Sequence, residues 1–210
     1  GELPHEFQSS TNRHIRLLVG GKLGHLGPGA GCDGPVAKIA RDLRIQSPSV
    51  KTVFLAEFKA GFEDSARGVS LGLDWALVVV DPTTASLQMA VHFDQMVRQL
   101  RRGALPATAH LTDPALVEEA RRQFRASRVQ GVAAILNRLP DPEAEAFVRE
   151  HLRKMDGPPV LGALMEDREI QRQWLRGDQV RSREMEESVE SITRGLEELL
   201  ARTREPQPTG

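Results

Sequence analysis

Residues Val50–Pro82 read VKTVFLAEFKAGFEDSARGVSLGLDWALVVVDP. The apolar run Val53-Phe54-Leu55-Ala56 stops at Glu57. Gly61 follows, then a polar stretch of helical character from Glu63 to Leu71. A second run, Ala76-Leu77-Val78-Val79-Val80, stops at Asp81-Pro82. Short runs dense in Val and Leu, apolar at every position, suit strands buried on both faces. Two such strands joined by a helix predict a parallel βαβ unit. Ligands of such sheets sit beyond the carboxyl ends of the strands. Glu57 and Asp81 stand at those ends.

The remaining chain extends the pattern. Upstream, Ile15 to Val19 is a short β-type run after a polar segment, 1–14. Seven glycines follow between positions 20 and 34, in GGKLGHLGPGAGCDG. A helix is expected from Pro35, with Val36, Ile39, Ala40 and Leu43 at helical spacing. Downstream, Thr84 to Arg101 has a helical stripe of Leu87, Val91, Met96, Val97 and Leu100. Asp113-Pro114 opens another helix, with Asp as the cap and Pro in the first turn. Val129 to Leu136 is a third strand, ending at Asn137-Arg138. Asp141-Pro142 caps a helix reaching about Met155. Val160 to Leu164 is a further strand. Glu166 to Arg176 and Arg183 to Arg204 are helices, and 205–210 is a loose tail. Alternating strands and helices predict an α/β fold: a three-layer parallel sheet with helices on both faces, in one domain over 15–204.

Composition bounds the partners. The chain has 210 residues and a formal net charge of -1, so no basic surface calls for nucleic acid or an anionic membrane. One cysteine, Cys32, excludes an internal disulfide and suits a reducing compartment. No apolar run nears the ~18 residues of a membrane span, and the first residues do not resemble a secretory signal. A cytoplasmic location is expected.

The motifs AGFEDSARG, VVVDPT, ILNR and LGALMEDREIQ, in that order, resemble one family. It is the CooC-like nickel-insertion ATPases that mature carbon monoxide dehydrogenase, in the MinD and nitrogenase iron-protein class of P-loop ATPases. The resemblance runs from about Leu3 to Gln179. It implies a P-loop NTPase-like fold, with Gly61 after the magnesium strand and Asp81 in the VVDP element. It also implies that Asn137-Arg138 lies on the adenine side and that Glu166 lies in the loop closing over the base. Implied ligands are ATP or ADP with Mg²⁺, and nickel or zinc at a dimer interface.

Departures from that pattern shape the expected function. No GxxxxGK[ST] occurs, so the P-loop strand is expected to be missing. Gly34 stands where the family has its second metal-binding cysteine. Glu57 stands at the usual magnesium-side Asp, and Lys59 at an acidic position. The residues therefore point to a degenerate, non-hydrolysing binding or accessory protein, with ATP turnover not expected from this chain alone. Two alternatives stay open. One is an active ATPase whose nucleotide site is completed by a missing front half. The other is a metal-binding dimer, in which Cys32 and His25 from two copies would make four ligands. The plainer reading of Cys32, a small residue in a glycine-rich turn, outweighs the metal reading. Either way, a second copy or a complementing chain is the expected partner.

Overall fold

The computed structural model describes residues 53–58, 69–104 and 112–204. The chain divides into two units, Gly1–Val69 and Ser70–Gly210. In the first, residues 53–58 lie outside regular secondary structure, with Val53, Phe54 and Leu55 exposed. The strand expected at Val53–Ala56 is therefore not formed. An apolar run becomes a strand only where a neighbouring backbone completes its ladder, and composition does not supply that neighbour.

The second unit is an α/β layer structure. Its elements are β1 (Trp75–Val80), α1 (Thr84–Arg101), α2 (Pro114–Arg125), β2 (Gly131–Leu139), α3 (Pro142–Lys154), β3 (Val160–Met165), α4 (Arg168–Arg176) and α5 (Arg183–Arg204). A short 3-10 turn, Val69–Gly72, precedes β1. The three strands form one sheet in the order β1-β2-β3, all parallel. The architecture is that of a P-loop NTPase-like three-layer fold.

Local chemistry explains the helix starts. Thr83 accepts a hydrogen bond from the Ser86 amide at the start of α1. Asp113 and Asp141 cap α2 and α3, each followed by Pro in the first turn, where a missing N–H costs nothing. Asp167 caps α4, and Gly177 ends it at φ 73, a left-handed position that glycine takes without a Cβ penalty.

Both crossovers step in the same direction across the sheet. A common right-handed sense then puts α1 and α3 on one face. Leu87, Ala90 and Val91 of α1 and Val148 and Leu152 of α3 pack with Val80, Ala134, Leu136 and Leu139 of the sheet. Helix α5 covers β3 on the other face, where Ile192 lies over Gly162, the register partner of Ile135. Val79, on β1, remains exposed, so the run Ala76–Val80 is not buried throughout as its composition predicts. In α1 the buried side also includes Ala90, Phe93 and Asp94, beyond the expected aliphatic stripe.

Candidate nucleotide-base site

The carboxyl ends of three parallel strands bring Asp81, Asn137, Arg138 and Glu166 to one end of the sheet. Asp81 follows β1 directly. Its position is set by its own turn: its amide donates to Ser86 Oγ at 3.1 Å, and its carbonyl accepts from the Thr83 amide at 2.7 Å. The Thr83 hydroxyl in turn accepts from the Ser86 amide at 3.2 Å. These bonds hold the Asp81 backbone against the first turn of α1.

Asn137 and Arg138 lie in a bulge. Leu136 pairs with Ala163 and Leu139 with Met165, so β2 spends three steps where β3 spends two. The extra residue is accommodated by Arg138 at φ 56, a left-handed conformation that costs a non-glycine residue about 1 kcal/mol or more. Bulges re-aim neighbouring side chains. Here Asn137 Nδ2 donates to Asp81 Oδ1 at 3.2 Å. Asp81 and Asn137 are half-buried, while Arg138 is exposed.

Glu166 follows β3. Its amide donates to the Leu139 carbonyl at 2.7 Å, closing the sheet just past the bulge. Its exposed carboxylate accepts from Gln171 Nε2 at 3.3 Å. Beside it, the Ser182 hydroxyl and the amides of Glu169 and Ile170 bond the Asp167 carboxylate and hold it below the usual carboxylate range. The loop before α5 is thereby tied to the start of α4.

Asp81 and Asn137 are thus in contact, and Arg138 and Glu166 share their end of the sheet. Glu57 is exposed and belongs to the other unit. Gly61, Cys32 and His25 lie outside the described residues, as does the glycine-rich loop. Among the described residues no three His, Cys, Asp or Glu side chains are grouped to hold a metal ion. Also among them, no helix is long and apolar enough to cross a membrane. Sequence reasoning missed Thr83, Ser86 and Gln171. The Thr83–Ser86 spacing, a hydroxyl before a helix with a polar residue three positions on, was the available signal. For Gln171 there was none.

A cavity of about 280 Å³ lies at the opposite end of β2, beside Leu100, Phe124, Ser127 and Val129, and does not belong to this site. What the Asp81–Asn137 end offers is hydrogen bonding: an amide edge, two carboxylates and a guanidinium. It can recognise a polar planar group, and among the described residues it brings no nucleophile together with a base.

No family model matches the chain, and no solved structure does. An uncharacterized ATP-binding protein of Methanocaldococcus jannaschii is 29% identical over 99 residues. That match covers 47% of this chain and 39% of the relative, so the chain spans well under half of the length of the curated relative it matches.

Proposed function

We propose that this chain is a nucleotide-binding protein related to the P-loop ATPases, which by itself binds rather than hydrolyses. The observation that carries the reading is the Asp81–Asn137 pair at the carboxyl end of a parallel sheet, in a sequence without a GxxxxGK[ST] motif. Open α/β sheets take their ligands at this end. The similarity to an ATP-binding protein supports the same class of ligand. The residues present suit the base of a nucleotide. Glu57 and Lys59 would suit magnesium poorly, because the first is longer than the family's Asp and the second carries the wrong charge. The ordered resemblance to the CooC-like ATPases makes an accessory role in metalloenzyme maturation the specific form of the proposal.

Calorimetry with ATP–Mg²⁺ and ADP, run beside a phosphate-release assay, tests it. Binding without turnover is expected. Turnover by the purified chain overturns the non-hydrolysing reading, and absence of binding overturns the nucleotide reading.

A second reading is favoured by the partial span of the relative: an ATPase whose phosphate half is supplied by further polypeptide. It requires that adding this half restores turnover. Metal binding by Cys32 and His25 of two copies is a separate proposal. It requires that Cys32→Ser abolish metal-dependent dimerisation, and unchanged nickel or zinc stoichiometry in that variant overturns it.

A further inference from the structure

We infer that α4 of this chain docks on α5 of a second copy, and α5 on α4 in return, so that two copies pair through complementary helix faces. Residues 168–183 carry five arginines against Glu169 and Asp178. Residues 184–198 carry six glutamates against Arg194. Arg168, Arg172 and Arg176 repeat every four residues along α4 and form one exposed stripe. Leu175 borders that stripe at 88% exposure, and Trp174 stands beside it at 78%. No residue of α4 is buried.

The opposite side of α4 is already occupied. Gln173 Oε1 accepts from the Arg181 amide at 2.8 Å, and Gln173 Nε2 donates to the Arg181 carbonyl at 3.3 Å. The loop before α5 therefore lies along the Gln173 side. At about 100° per residue, Leu175 and Arg168 point away from it. On α5, Ile192 is buried over Gly162, and Gly195 lies close to Leu161. These two residues mark the packed side. Glu186, Glu190 and Glu197 share the solvent side with exposed Val189.

Among the described residues, Arg172 pairs with Glu169 and Arg183 with Glu187, each within its own helix. Also among them, Arg168, Arg176, Glu186, Glu190 and Glu197 have no ion pair, and none joins α4 to α5. The basic and acidic stripes span about 12 and 16 Å, which are similar lengths. Exposed ion pairs add little affinity, so the charges decide which face meets which. Affinity comes from Trp174 and Leu175, apolar area that one copy leaves in water and that Val189 of the second copy covers. The occupant is a second copy because the face that complements α4 stands on the same chain. A two-fold axis uses both faces of each copy. Neither a nucleotide nor Cys32 takes part.

Sedimentation over a range of concentrations, with chelator and without nucleotide, measures the dimer. The proteins are wild type, Trp174→Ala, an α4 reversal (Arg168→Glu, Arg172→Glu, Arg176→Glu) and an α5 reversal (Glu186→Arg, Glu190→Arg, Glu197→Arg). Circular dichroism verifies that each is folded. Wild type is expected to dimerise, more weakly at high salt. Trp174→Ala should weaken the dimer by about thirtyfold or more. Each reversal should weaken it by about a hundredfold or more. An equimolar mixture of the two reversals should form a mixed dimer, because the acidic α4 of one then meets the basic α5 of the other. Trp174→Ala in both members should weaken that mixed dimer too, which a general attraction between opposite net charges would not show. A monomeric wild type, a dimer that survives both reversals, or folded reversals that fail to combine would overturn the inference. Growth beyond the dimer would overturn the two-fold pairing. A dimer lost in chelator or in Cys32→Ser would place the contact at the cysteine segment and overturn it as well.

Discussion

A Cβ added to Gly162 would stand 2.5 Å from Cγ1 of Ile192. That distance is far inside van der Waals contact, and it places α5 directly on the backbone of β3. Gly162→Ala is therefore expected to destabilise the protein by about 1–3 kcal/mol through overpacking. Ile192, itself buried, should cost about 2–5 kcal/mol when cut to Ala. The double variant should be more stable than the sum of the two losses implies, since each change relieves the other. Urea denaturation of the four proteins checks this, and strict additivity would mean that α5 does not rest on Gly162.

Leu136 is fully buried at the centre of the sheet, between α1 and α3. Leu136→Ala should lower stability by about 2–5 kcal/mol, because the lost contacts leave a cavity that a β-strand between two neighbours cannot collapse. Leu116 on α2 is exposed, and its change to Ala should stay within about 0.5 kcal/mol. Similar losses at both sites would contradict the packing described.

Asp94 is a buried carboxylate on α1, and burial pushes its pKa up. Arg98 Nη2 lies 2.7 Å from Asp94 Oδ2, yet that oxygen lacks a hydrogen bond of good angle. Arg98 also bonds Asp156 Oδ2 at 2.8 Å, so it has a partner of its own. A raised folded-state pKa means that the folded protein holds the proton more tightly than the unfolded chain. The contribution is therefore fully present below the unfolded value of about 4 and is lost as pH rises through the folded value. Asp94→Asn should flatten this part of the stability profile, with wild type losing ground to the variant as pH rises from about 4. Urea midpoints at several pH values measure it, and parallel curves would refute it.

Asp167 behaves in the opposite sense. Its carboxylate is held low by the Ser182 hydroxyl and by the amides of Glu169 and Ile170. Its contribution is present above the unfolded value of about 4 and is lost as pH falls through the depressed folded value. The thermal midpoint advantage of wild type over Asp167→Asn should shrink on acidification. An advantage that is constant with pH would mean that the cap acts through shape alone.

The helices were legible with little help from the fold. Thr84 to Arg101, Asp113-Pro114, Asp141-Pro142 and Arg183 to Arg204 carry their own boundaries. Caps and first-turn prolines act within four residues, so the information is local. Strand ends were less legible. The third strand was expected to stop at Leu136, but β2 continues to Leu139. Asn137 and Arg138 do not look like strand residues, and a bulge carries them inside it.

The sequence by itself determined the layer type and the capped starts of the helices at Thr84, Pro114, Pro142 and Arg183, and it placed Asp81, Asn137, Arg138 and Glu166 at strand ends. Only the tertiary structure decided that Val53–Ala56 is not a strand, that Asp94 is buried and that Asn137 turns to Asp81. The reason is separation along the chain. Asp81 and Asn137 lie 56 residues apart and meet because Val80 pairs with Leu136. A parallel register is set by how α1 and α3 pack across the whole sheet, and no local periodicity encodes it.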